Sequence, residues 1–300
     1  MTDTSSLITA EGACRGRALQ WLYLDPPPFN DDWALQLLRP EDRERLRQPQ
    51  SRAEFMASPI SFTMTGVGVG SLLYAEETVL EAVSTGIDQY VILGAGFDTF
   101  AMRHGELVGA LRVFEVDHPA VQALKRERLA AAPPVILMPD FVAVDFELEK
   151  LGERLQASGF ESSRPAMFSW MNTLPYLSVD AITATLRDIR DVTAPGSMLV
   201  TNYPVSGVPT SAEQLAVMEA TRADVSRRGE PWQSNFTPDA FVAVLAECGF
   251  DVEAHLTEHD INARFFADRT DGFKAAVPLR IVQAVRRYER ISPPARAPRA

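Results

Sequence analysis

An apolar run, Tyr90-Val91-Ile92-Leu93, breaks directly into Gly94-Ala95-Gly96-Phe97-Asp98-Thr99, and no other stretch restricts the fold as tightly. Four consecutive apolar residues, entered from Gln89 and closed by glycine, read as a strand buried on both faces of a parallel sheet. Gly94 and Gly96 remove the Cβ atoms that would obstruct a tight turn and a close approach of backbone to ligand. A bare Gly-x-Gly also suits an ordinary turn after a strand, so its meaning depends on the residues downstream of it. The next apolar segment, Leu111 to Val116, ends in Asp117, twenty-one residues after Gly96. At that interval a carboxylate on the tip of the second strand reaches ribose hydroxyls in nucleotide-binding sheets.

The remaining pattern alternates. Pro119 starts a helix through Val121, Leu124 and Leu129; Val135–Met138 and Phe141–Val144 form a third extended region ending at Asp145-Phe146; Leu148–Gln156 reads as helix. Residues 165–170 give a fourth strand, followed by a helix from Ser178 to Asp191, and residues 196–203 give a fifth. Strands alternating with helices indicate an α/β fold with a mostly parallel, doubly wound sheet. Residues 204–236 are too long for a simple connection and hold a helical stretch, Ser211 to Arg228, which reads as an insertion covering the site. Phe250–Leu256 is a sixth strand. Leu279–Val285 is a seventh, reached through a loop, which suits an antiparallel partner. The tail, 291–300, is rich in proline and arginine and is expected to be disordered.

Upstream, residues 1–86 form an N-terminal helical addition to a core at 87–290. A helix runs through Arg17, Leu19 and Trp21 until Pro26-Pro27-Pro28, with shorter ones at Trp33–Leu38 and after Pro40. Gly66-Val67-Gly68-Val69-Gly70-Ser71 lacks the Gly-Lys-Ser/Thr of a phosphate loop and reads as a flexible turn, with helix resuming from Leu72 to Val83. With 46% hydrophobic and 23% charged residues among 300, the chain has the composition of a globular protein. Its net charge of −11 argues against broad binding to nucleic acid or anionic membranes. Cys14 and Cys248 suggest no redox or metal pair, and no signal peptide or membrane-length apolar run is evident, so a cytoplasmic location with free thiols is expected. His255 and His259 lack the glutamate of a zinc motif, and no metal is expected. Oligomeric state is not readable.

Four ordered segments carry a resemblance: Val91–Arg103, Val113–Pro119 (Val-Phe-Glu-Val-Asp-His-Pro), Val144-Asp145-Phe146 and Ser169–Leu177 (Ser-Trp-Met-Asn-Thr-Leu-Pro-Tyr-Leu). Together they resemble the leucine carboxyl methyltransferase family, in particular its bacterial branch, over roughly residues 9–290. The resemblance implies a seven-stranded, Rossmann-like class I methyltransferase sheet with an N-terminal helical cap, and S-adenosyl-L-methionine as cofactor. On matching positions Gly94 and Gly96 would line its methionine and ribose, Asp117 would hold the ribose hydroxyls, and Asp145 with Phe146 would bracket the adenine. Asp98 and Ser169 complete the implied cofactor set, and Glu115 ranks below Asp117 because only Asp117 stands at the strand end. One departure stands out: the branch carries an arginine in the helix before the glycine strand, expected to pair with the cofactor's carboxylate, where this chain has Ser71–Glu77. The helix start at Thr99, Arg52 or Arg103 could substitute.

The implied activity is methyl transfer to an oxygen, carboxylate or hydroxyl, of a small molecule, itself expected to be acidic. An anionic carboxylate needs no general base; for a hydroxyl, His118 and Tyr176 are the catalytic candidates, with His104 also near in sequence. Trp170 could contact a cationic sulfonium or simply pack in the core. A NAD-dependent oxidoreductase would use Asp117 equally well, but Thr99 replaces the third glycine and nearly ninety residues precede the first strand. A non-catalytic cofactor-binding regulator is the other alternative.

Overall fold

The computed structural model describes residues 3–288, so the expected tail at 291–300 lies outside the described residues. Five helices precede the first strand: α1 (Asp3–Tyr23), α2 (Trp33–Gln36), α3 (Pro40–Leu46), α4 (Pro49–Ala57) and α5 (Pro59–Ser84). Pro40, Pro49 and Pro59 each open a helix, where the missing N–H removes no hydrogen bond. Ser58 caps α5 by accepting from the Ser61 amide at 3.2 Å.

The glycine run at 66–71 is not a turn but the middle of α5. Three interior glycines weaken a helix by about 1 kcal/mol each, and here tertiary contact overrides that propensity. A Cβ at Gly66 would stand 2.1 Å from the Lys274 carbonyl oxygen, and one at Gly70 would stand 2.6 Å from Ile261 Cγ2. The glycines thus let α5 lie flush on the 261–275 segment.

The core comprises β1 (Gln89–Leu93), α6 (Phe100–Arg103), β2 (Arg112–Asp117), α7 (Pro119–Ala130), β3 (Asp140–Ala143), α8 (Leu151–Ala157), β4 (Met167–Trp170), α9 (Val179–Val192) and β5 (Met198–Pro204). Then come α10 (Ala212–Arg227), α11 (Pro238–Glu247), β6 (Phe250–Thr257), α12 (Glu258–Ile261) and β7 (Leu279–Arg286). The seven strands are ordered β3-β2-β1-β4-β5-β7-β6. The first five pair in parallel, and β7 runs antiparallel between β5 and β6. This is the seven-stranded, Rossmann-like sheet that the resemblance implies, with helices preceding it in the chain.

Side chains alternate between the two faces as the strand pleat requires. Tyr90 and Ile92 join α1, α2 and α5 in one core; Val91 and Leu93 join α8, α9 and α11 in the other. The third extended region is shorter than its sequence suggests: Val135–Met138 forms no strand. Pro133 and Pro134 withhold ladder donors there, and Ile136 and Met138 are exposed. Chain order reverses between β1 and β4, which opens a crevice at their carboxyl ends. No single helix among the described residues is long and apolar enough to cross a membrane, although α4 and α5 together, bent by 84°, meet the length and composition. Much of α5 is buried, including Val67, Val69, Tyr74 and Val79.

Candidate active site

A cavity fills that crevice, and its lining brings together Gly94, Gly96, Asp98, Asp117, His118, Asp145, Phe146, Ser169 and Tyr176. Gly94 and Gly96 both have left-handed backbones, φ 63° and 51°, which explains glycine at each. At Gly94 the space of the missing side chain is taken by the protein itself: a Cβ would stand 2.2 Å from Thr173 Oγ1. Close packing with the loop after β4, as well as room for a ligand, therefore fixes that glycine.

Asp117 is oriented by two amides. Its Oδ2 accepts from Gly96 N at 2.5 Å and its Oδ1 from His118 N at 2.6 Å. Each carboxylate oxygen keeps a further lone pair, so two acceptor positions remain for a ligand. Glu115, two residues earlier, is consumed inside the core: Lys125 Nζ reaches its Oε2 at 2.5 Å and the Asp98 carbonyl at 2.6 Å. The Asp98 carboxylate accepts from Phe100 N at 2.7 Å and so starts α6, which is only four residues long. Asp145 accepts from Glu147 N at 3.0 Å, and Ser169 shares a 2.8 Å hydrogen bond with Tyr90.

Phe146 lies over Trp170 with ring centroids 5.8 Å apart. Trp170 is fully buried beneath it and does not line the cavity, so it packs in the core and presents no face to a sulfonium. His118 caps α7, its Nδ1 accepting from Ala120 N at 3.3 Å. His104 lies outside the cavity lining, between Glu76 and Glu106, whose hydrogen bonds raise its pKa against the opposing effect of burial. Burial pushes the Tyr176 phenol above its ordinary value, which keeps it protonated and so unavailable as a base. Both cysteines are buried and unpaired, and burial pushes the Cys14 thiol up to about 12.

None of the three substitutes for the family arginine supplies a cation to this lining. Arg103 is held by Glu76 at 2.9 and 2.5 Å, Arg52 is exposed on α4, and a four-residue α6 carries little dipole. The guanidinium in the lining is Arg17 of α1, anchored by Asp31 at 2.7 Å and by the Phe97 carbonyl at 2.5 Å. Glu230, from the insertion, also lines the cavity; it is 4% exposed and its Oε2 has no hydrogen-bond partner. Burial, reinforced by the Asp117 charge, pushes its carboxyl up to about 7 against the pull of Arg228. Arg17 and Glu230 carry no local motif, and only tertiary packing brings them here.

The insertion forms a strap. Gln233 N donates to the Pro175 carbonyl, Gln233 Nε2 to that of Tyr176 and Ser234 Oγ to that of Leu174, each at 2.7 Å. Beneath it lies a second, smaller cavity that shares Asn172 and Tyr176 with the first and draws on α5, α10 and β5.

The family model of leucine carboxyl methyltransferases matches residues 10–190, from α1 through the four motifs into α9. The chain belongs to the leucine carboxyl methyltransferase family. Its relatives include a Bacillus subtilis protein described as "Putative S-adenosyl-L-methionine-dependent methyltransferase YktD", 31% identical over 82% of this chain and 81% of that protein. A Mycolicibacterium paratuberculosis protein with the same functional description is 29% identical over 96% of this chain and 88% of its own length. Among solved structures, human N-acetylserotonin methyltransferase in complex with SAM overlays with a TM-score of 0.47 at 13% identity, covering 84% of this chain and 61% of that one. The mitomycin 7-O-methyltransferase MmcR gives 0.47 at 18% identity, over 85% of this chain and 60% of its own. The family match ends before residue 204, so the strap and more than half of the residues lining the second cavity lie outside the matched span.

Proposed function

We propose that this protein is an S-adenosylmethionine-dependent methyltransferase that methylates an oxygen of a small-molecule acceptor. The observation that carries the reading is Asp117, a carboxylate fixed by two amides at the β2 tip with two acceptor positions left open beside the glycine turn. The donor and acceptor set fits the cofactor. Asp117 and the unpartnered Glu230 suit a ligand rich in hydroxyl and amino donors, and Arg17 is the lone lysine or arginine in the lining to meet its carboxylate. Gly94, Gly96 and Asp98 would line the methionine and ribose, Asp145 and Phe146 would flank the adenine, and Ser169 would face the centre.

When bound, the cofactor would supply an electrophilic methyl group to the acceptor oxygen, with Asp117, Arg17 and Glu230 the polar side chains of the lining that would hold it. The chain's own task is alignment and exclusion of solvent. His118 Nδ1 caps α7 and the Tyr176 phenol holds its proton more firmly than an exposed one, so neither fits the role of general base. The nicotinamide reading is not favoured by the family, and the strap and second cavity support an acceptor-binding enzyme over a regulator. Titration calorimetry with S-adenosylmethionine, S-adenosylhomocysteine and NAD tests this. Binding of the first two with micromolar-range affinity is expected; binding of NAD alone would sink the reading.

A further inference from the structure

The second cavity carries no ionisable acid, lysine, arginine or histidine in its lining; its walls include Met64, Val67, Met218, Pro204 and Leu279. It meets the first cavity at Asn172 and Tyr176. Asn172 is also the one described non-glycine residue with a left-handed backbone, at φ 59°, a strained conformation that concentrates at functional sites.

The orientation of its side chain is set by hydrogen-bond logic. The Asn172 backbone N–H can only donate, and it does so to Asn202 Oδ1 at 2.6 Å. Asn202 Nδ2 is then the donor on the other side, serving Ser71 Oγ and Asn172 Oδ1, both at 2.8 Å. The Ser71 hydroxyl is itself spent on the Val67 carbonyl at 2.8 Å, which fixes it as acceptor toward Asn202. That bond points the amide oxygen of Asn172 toward Asn202 and so fixes the orientation of the side chain. Its Nδ2 is left without a protein acceptor, on a residue that borders both cavities.

Resting on the methyl-transfer reading, the geometry points to the second cavity as the acceptor site, and to an acceptor that is a neutral, largely apolar phenol presenting its hydroxyl oxygen to Asn172 Nδ2. Apolar walls favour an apolar body, and a carboxylate there would be desolvated with no cation to compensate it. A single amide donor occupies one lone pair of a hydroxyl and leaves the other free. This narrows the acceptor away from the acidic small molecule expected from the sequence.

The test is equilibrium binding of 2-naphthol, 2-naphthoate and naphthalene to the full chain with and without S-adenosylhomocysteine, monitored by probe fluorescence. Saturable 2-naphthol binding at least about tenfold tighter than that of 2-naphthoate is expected. Met218→Trp and Met64→Trp, each entering the cavity from a half-buried position, should abolish it. Asn172→Gly suits the left-handed backbone, so the fold persists; it should weaken 2-naphthol about five- to tenfold and leave naphthalene unchanged. Tighter naphthoate binding, no saturable binding of 2-naphthol, or affinities indifferent to all three variants would overturn the assignment. Calorimetry with S-adenosylhomocysteine on the same samples reports separately on the methyl-transfer reading, which falls if that ligand does not bind, whatever 2-naphthol does.

Discussion

Asp117 is useful because two amides hold it still, and that makes its contribution measurable. Asp117→Ala should weaken S-adenosylhomocysteine by about 1–3 kcal/mol in calorimetry, the value of losing charge-assisted hydrogen bonds; an unchanged affinity would remove it from the site. Glu230 makes a different prediction, readable without ligand. A carboxyl raised from its ordinary 4.5 to about 7 holds its proton more firmly in the folded chain. The folded state therefore has that advantage in full below the unfolded value and loses it as pH rises through 7. Glu230→Gln should leave the thermal midpoint unchanged at pH 4 and raise it at pH 8, a gain of at most about 3 kcal/mol. A midpoint that falls at pH 8 would contradict the buried, unpaired carboxylate. Asp117 was legible in the sequence because strand, turn and carboxylate are local to one another. Arg17 and Glu230 were not, since nothing near them in the chain distinguishes them from surface residues, and Asn172, although it stands within the Ser169–Leu177 motif, owes its position between two cavities to tertiary packing.

Among the elements, α5 shows where local reasoning fails. Glycine at three alternate positions argues for a turn by propensity, and a helix forms because backbone from residue 274 must come within touching distance. The three glycines should consequently differ. Gly66→Ala drives a methyl onto a carbonyl oxygen and is expected to destabilise by about 1–3 kcal/mol in urea titrations. Gly68→Ala has nothing within 4 Å and should stabilise by up to about 1 kcal/mol. Equal effects would mean that α5 does not pack as described. Strands are more legible than this helix, because a continuous apolar run bounded by glycine has few alternatives; the exception, Val135–Met138, has the composition of a strand but neither the donors nor the cover. The two-proline entry that prevents it is visible in the sequence once weighed against the apolar count.

At the scale of the molecule, one cavity is walled by α1, by four strand ends and by the strap, elements that lie more than two hundred residues apart. Occupancy should therefore tighten distant segments together. In hydrogen exchange, S-adenosylhomocysteine should protect residues 9–17 and 229–234 in parallel while leaving β6 unaffected; protection confined to the glycine turn would count against a shared site. At a hundredfold excess over its dissociation constant the ligand should add about 2.7 kcal/mol of stability. The sheet order was legible as a likeness of motifs, whereas the pairing of cavity walls depends on long-range packing that no periodicity encodes. The order of synthesis bears on the same sheet. Because β7 inserts between β5 and β6, the last of the described strands to leave the ribosome is an interior one, and until it arrives β5 presents an open hydrogen-bonding edge. The nascent chain must hold that edge unpaired until Leu279–Arg286 has emerged, so a premature stop before Leu279 does more than shorten the protein: it leaves a gap in the sheet where other chains can add a strand.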